Sequence, residues 1–260
     1  MSGATAAPVK TGPRTPGLDR DVAMRLAATE YDRFVAQLRE LDPADWARPT
    51  ACSEWDVHAM ACHVLGMAEM VASMPEQLRQ MRGAGKAAKE NDSIFIDALT
   101  SLQVNKHVHR APAQVLELLA TTTPKAARGR KRVPALMRRL PMKDQPVDET
   151  GGLTETWTMG YLVDVILTRD TWMHRSDIAL ATGRSMQLTA DHDGVLIADV
   201  VADWFSRHGQ ACSLTLTGPA GGSWSQGTAG PSYELDAVEF CRIVCGRGSG
   251  EGLVATRVPF

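Results

Sequence analysis

Apolar residues return at helical spacing over most of the first two-thirds of the chain and at strand spacing only near its end. Val22, Leu26, Phe34, Leu38 and Leu41 predict a first helix from about Asp19 to Leu41, stopped by Asp42-Pro43. A loop holding Trp46, Pro49 and Thr50 leads to Ser53, placed to cap a second helix with Glu54 and Asp56 in its first turn, where negative charge suits the helix dipole. Val57, Met60, Ala61, Val64, Ala68 and Val71 form the apolar face of this helix, which the pattern carries to about Met81. Gly83 to Lys89 reads as a break. Helical pieces follow from about Ser93 to His109 and from Pro112 to Leu140, the second opened by an N1 proline and kinked or split at Pro134. A connector with Pro and Gly, Pro141 to Gly152, delivers the chain to a helix from about Thr156 to Ala181.

Beyond Gly183-Arg184 the character changes. Thr189 is placed to cap a helix through Val195, Ile197, Val200, Val201, Trp204 and Phe205, ended at His208-Gly209. Ser213 to Thr217 alternates as a strand, with partner strands at Ser223-Trp224-Ser225 and Tyr233-Glu234-Leu235, and a short helix runs from Asp236 to Cys245. The expected class is therefore mainly α with a small α+β part at the C-terminal end. The expected division is a disordered lead-in over 1–17, a helical bundle over 18–184 and an α+β domain over 185–260.

Composition narrows the function. A length of 260 residues suffices for two domains with buried cores, and a formal charge of -2 argues against general nucleic-acid binding. No apolar run is long enough for a membrane helix and no signal-peptide pattern opens the chain, so a soluble, cytoplasmic protein is expected. Cys52, Cys62, Cys212, Cys241 and Cys245 are odd in number and contain no Cys-x-x-Cys pair, so buried, inert thiols are expected rather than a disulfide framework.

The candidate chemistry lies in Arg169-Asp170-Thr171-Trp172-Met173-His174-Arg175-Ser176-Asp177. On the predicted helix Val163, Ile166, Leu167, Asp170, His174 and Asp177 share one stripe, and the i,i+4 spacing brings Asp170 and His174 close enough to close on one ion. A carboxylate on a core-facing stripe needs a cation, an arginine or a hydrogen-bond network. A buried Asp–His hydrogen bond without metal fits this segment equally well. His63, on the flank of the second helix, could complete a site or be a satisfied core histidine. His107-x-His109 reads as solvated, His58 and Cys62 make at most half a site, and the basic run Lys125, Arg128, Arg130, Lys131, Arg132, Arg138, Arg139 and Lys143 reads first as a solvated face.

Asp45-Trp46, Pro49-Thr50-x-Cys52, Trp55-Asp56-Val57 and Ala61-Cys62-His63-Val64-Leu65-Gly66 resemble the first signature of the mycothiol-dependent maleylpyruvate isomerase family, a branch of the DinB-like metal-binding four-helix bundles. Arg169-Asp170-x-Trp172-Met173-His174-Arg175-x-Asp177-Ile178, with Ala181-Thr182-Gly183-Arg184 after it, resembles the second, and residues 186–260 are similar to the small sterol-carrier-like domain of family members. The resemblance implies a DinB-like four-helix bundle followed by a small α+β domain. It places a divalent metal on His63, Asp170 and His174 and implies mycothiol as cofactor; the histidine ligands favour zinc, and Asp177, one turn beyond His174, reads as an acceptor that fixes that imidazole or as a surface charge. The implied function is a mycothiol-using isomerase or S-transferase, in which a metal-bound thiolate attacks a small electrophile and the protein supplies no nucleophile of its own. Arg184, Arg242 and Arg247 are the candidate anchors for thiol or substrate. The isomerases that name the family carry Glu where this chain has Asp170, which puts maleylpyruvate itself in question as substrate. A non-catalytic small-molecule or lipid carrier and a metal-dependent hydrolase are the alternatives on the same fold.

Overall fold

The structure is a computed structural model that describes residues 12–147 and 153–260. It is mainly α with a small α+β part, as the apolar pattern predicts. Helices α1 (Arg20–Arg39), α2 (Val57–Ala72), α3 (Met74–Asn91), α4 (Phe95–His107), α5 (Pro112–Arg132) and the single turn α6 (Ala135–Arg138) precede strands β1 (Pro141–Pro146) and β2 (Thr154–Thr158). A turn α7 (Met159–Tyr161), a π-turn (Leu162–Ile166) and α8 (Leu167–Thr182) follow without interruption. A second π-turn (Ala190–Gly194), α9 (Val195–His208), β3 (Cys212–Thr217), β4 (Gly222–Gln226), β5 (Ser232–Asp236) and α10 (Ala237–Cys245) complete the order. The contacts divide the chain into two compact units, one of Asp21–Ala135 and Asp170–Met186, the other of Met1–Arg20, Leu136–Arg169 and Gln187–Phe260.

In the helical unit, α2 packs against α3, α4 and α5, and Tyr31 of α1 packs on Ala68 and Ala126. Two glycines set the spacing. A Cβ on Gly66 would stand 2.6 Å from Cβ of Gln103, and one on Gly129 only 2.0 Å from the carbonyl oxygen of Val71. Bonds from Gln80 Nε2 to the Gly66 carbonyl oxygen and from Gln103 Nε2 to Gln80 Oε1, both 2.9 Å, link the polar groups buried at the α2–α3–α4 contact.

Several expected boundaries shift for local reasons. Asp56, not Ser53, caps α2, its Oδ1 accepting from Ala59 N at 2.7 Å. The preceding segment is committed to a turn in which Trp55 N donates to the Cys52 carbonyl oxygen and Thr50 Oγ1 to that of Trp55, both at 2.8 Å. The break falls at the extended Ser73, followed by Pro75 in the first turn of α3, and the expected break at 83–89 is helical, with Ala84 buried against Met70, Ala98 and Leu99. The helical pattern is split at Pro134 as expected, α5 ending at Arg132 and α6 beginning at Ala135, whereas Pro124 lies within α5. Two readings of the charged groups are corrected. His107 is buried and its Nε2 lies 3.0 Å from Glu69 Oε2, and Arg130 is buried with its guanidinium 5.8 Å from the Tyr31 ring centroid. Helix periodicity placed both residues on their helices but could not show what packs over them.

In the second unit, the expected connector 141–152 contains β1, which pairs antiparallel with β2. Of the lead-in 1–17, residues 1–11 lie outside the described residues, and Arg14 bridges to Trp157, its backbone N donating to the Thr156 carbonyl oxygen. A buried polar network ties the hairpin and α8 to α9. Arg169 reaches Asp199 at 2.7 Å and Asp203 at 3.0 Å, Arg207 reaches Glu155 and Asp203, and the Tyr161 hydroxyl donates to Asp203. The sheet has the order β4-β3-β5, with β3 antiparallel to β4 and parallel to β5. Trp204 of α9 meets Phe240 edge-on, and its Nε1 donates to the Leu253 carbonyl oxygen at 2.9 Å. No helix among the described residues is long and apolar enough to cross a membrane.

Candidate metal centre

His63 sits mid-way along α2, and Asp170 and His174 sit one turn apart near the start of α8. Their ligand atoms all lie within 4.8 Å of one another. Nε2 of His63 is 3.6 Å from Asp170 Oδ2, and Nε2 of His174 is 3.6 Å from Asp170 Oδ1. These separations exceed a hydrogen bond but match the spacing of two donors on one tetrahedral ion, about 3.4 Å for bonds of about 2.1 Å. Both ring nitrogens of His174 and Nδ1 of His63 are buried without a hydrogen-bond partner among the described residues. Two imidazoles and a carboxylate are a donor set suited to a borderline divalent ion, so the residues fit the metal that the resemblance implies.

The sequence placed Asp170 on the apolar stripe, and here the structure differs. From Val163 to Ile178 every side chain is buried except that of Asp170, which is 22% exposed. Before α8 a π-turn lets the backbone N of Leu167 donate to the Leu162 carbonyl oxygen, five residues back, which shifts Val163 and Ile166 out of the 3.6-residue register with the residues that follow. Asp170 thus meets the cost of its charge partly with solvent, in the manner of a ligand at an open face.

Asp177 is fully buried, with Oδ2 3.5 Å from Nδ1 of His174. Behind the site Arg175 Nη1 reaches Glu30 Oε1 and Oε2 at 3.1 and 2.9 Å, a buried pair that locks α8 to α1 and fixes the rotation of the helix that carries His174. Arg184 is held by Asp42 and Asp45 at 2.6 and 2.7 Å. Arg242 lies on α10 with Glu239 at 3.9 Å, and Arg247 Nη1 lies 3.6 Å from Cys245 Sγ.

Two site neighbours were not singled out by sequence reasoning. The Trp55 ring lies 5.0 Å from the His63 ring and 6.0 Å from that of His174, covering both imidazoles. Cys52 Sγ groups with His174 and Asp177 within the same 4.8 Å limit. Both belong to the turn before α2, and a turn leaves no periodic signal for where its side chains point.

Residues 27–179 match the family model of the mycothiol maleylpyruvate isomerase N-terminal domain. The chain belongs to this family. A solved structure of mycothiol-dependent maleylpyruvate isomerase resembles it with a TM-score of 0.53 at 15% identity, over 93% of this chain and 92% of that one. A histidine-to-alanine mutant of mycothiol-dependent maleylpyruvate isomerase gives the same TM-score, 0.53, at 16% identity over 89% of this chain and 91% of its own. At such identities the likeness speaks for the fold. No curated protein matches the chain.

Proposed function

We propose that this member of the mycothiol maleylpyruvate isomerase family is a metal-dependent enzyme that uses mycothiol to isomerise or conjugate a small electrophile, one with a double bond conjugated to a carbonyl. The observation that carries the reading is the convergence of His63, Asp170 and His174 on one space, with buried ring nitrogens lacking partners among the described residues. A divalent metal held by these side chains, zinc first, would supply Lewis acidity and lower the pKa of a thiol toward neutrality.

The chain's own residues prepare that site. With its carboxylate facing Nδ1, Asp177 favours the tautomer of His174 that turns the Nε2 lone pair toward Asp170. Trp55 shields the imidazoles from water on its side. Three of the thiols are unsuited to act as the nucleophile: burial, with Asp56 adding to it, pushes the Cys62 pKa up to about 12, and burial raises Cys212 and, much further, Cys241. Such thiols stay protonated at neutral pH and are poor nucleophiles.

Elemental analysis and a thiol-dependence assay on one preparation test the proposal. The expected result is one divalent metal per chain and turnover only when mycothiol is present. A fully loaded protein that hydrolyses its substrate with no thiol is a hydrolase, and a chain that takes up no divalent metal on titration has no such centre.

A further inference from the structure

A cleft of about 520 Å³, within the size range of small-molecule sites, lies between the segment leading into α2 and the outer face of α4. Its lining carries the carboxylates of Glu54 and Asp56, the hydroxyls of Ser53 and Ser101 and the amide of Asn105, and among the described residues no lysine, arginine or histidine lines it. Trp55 lines the same cleft while its ring packs against His63 and His174, so one side chain borders both the cleft and the metal triad. The potential at this face is negative: the nearby Asp97 carboxyl is held above its ordinary range first by burial and then by the charge of Glu54.

We propose that this cleft binds the uncharged, hydroxyl-rich arm of the thiol cofactor, so that its sulfur end passes Trp55 to reach the triad. The proposal rests on the mycothiol-using reading and names the part of the molecule that reads the cofactor. Carboxylates accept hydrogen bonds from sugar and polyol hydroxyls, and these charge-assisted bonds are roughly twice as strong as neutral ones. Serine hydroxyls and the asparagine amide both donate and accept, which suits a ligand with many hydroxyl groups. The flat apolar face of Trp55 suits the C–H face of a sugar ring. The same lining disfavours a ligand that brings carboxylates of its own, because like charges repel and no cation in the cleft offsets them. The acidic cleft therefore selects against glutathione and against an anionic electrophile, which leaves the electrophile to approach from elsewhere.

The test is calorimetric titration of the full-length, metal-loaded protein with mycothiol, with its cysteine-free arm as the uncharged N-acetylglucosaminyl-inositol, and with glutathione. Glu54 and Ser101 are exposed, so Glu54→Lys and Ser101→Trp alter the cleft without disturbing the core. The expected result is binding of mycothiol and of the arm, glutathione at least about tenfold weaker, and loss of about tenfold or more for the arm in each variant, at unchanged metal content and helical circular dichroism. Binding of the arm should survive removal of the metal by a chelator, a result that a metal–sulfur contact alone could not give. Unchanged affinity for the arm in both variants overturns the cleft assignment while leaving mycothiol use intact. Failure of the metal-loaded protein to bind mycothiol at all overturns both.

Discussion

His174 presents one ring nitrogen to Asp170 at 3.6 Å and the other to the buried Asp177 at 3.5 Å, so a single imidazole stands between two carboxylates. His174→Ala should abolish metal binding, measured by titration of metal-free protein. Asp177→Asn should weaken it only about 10- to 100-fold, the usual cost of losing a residue that orients a ligand. Equal and complete loss in both variants would make Asp177 a ligand. The identities of Asp170 and His174 were legible in the sequence because an acid and an imidazole one turn apart stand out in an apolar helix, whereas His63 was assigned to the site only by the family resemblance. The partial exposure of Asp170 was not, since it depends on what packs around the start of α8.

Among the elements, α2 and α8 carry the site, and their neighbours hold them in place. Gly66 lets α4 approach α2, and a methyl group there would collide with Cβ of Gln103 at 2.6 Å. Gly66→Ala should destabilise the protein by about 1–3 kcal/mol, the cost of overpacking, read from urea denaturation. On the other side Glu30 pairs with Arg175 in full burial. Glu30→Ala should cost about 3–5 kcal/mol by stranding the guanidinium, and should weaken metal binding because His174 is the residue next to Arg175. If stability falls while metal affinity stays unchanged, the pair holds the fold without orienting the site. Apolar spacing announced these helices, yet the partners across them, Gln103 and Glu30, come from segments that share no pattern with α2 or α8.

On the scale of the whole molecule, the two compact units interleave along the chain, with the segment Leu136–Arg169 grouped with Gln187–Phe260. Truncation after Ser185 would remove Asp199, Asp203 and Arg207, depriving the buried Arg169 of these two carboxylates and the hairpin residue Glu155 of Arg207. The truncated chain should therefore lose cooperative unfolding or become sensitive to limited proteolysis between 136 and 169; a well-folded, protease-resistant fragment would refute this. Acid should act on the same network. Burial alone would raise the Asp203 carboxyl, but Arg169 and Arg207 outweigh it and hold its pKa down to about 2. Its folded pKa lies below the ordinary value near ~3.9, so its stabilising contribution is full above that value and is lost as pH falls toward about 2. Asp203→Asn should be less stable than the parent at neutral pH and should lose less on acidification over that window, measured by urea unfolding as a function of pH.

The main helices, the C-terminal strands, the mainly α class and the candidate metal-ligating side chains were set by the sequence alone, because periodicity and side-chain chemistry are local properties of the chain; the β1–β2 hairpin was not. Tertiary structure decided what is buried and what each charge meets. It made His107 and Arg130 interior groups, gave Arg169 to a network with Asp199 and Asp203 while its neighbour Asp170 meets His63 and His174, and brought Trp55 over both imidazoles. These outcomes depend on segments distant in sequence that meet only after folding, and the energy of a buried charge is fixed by the partners that arrive there rather than by the residues beside it in the chain.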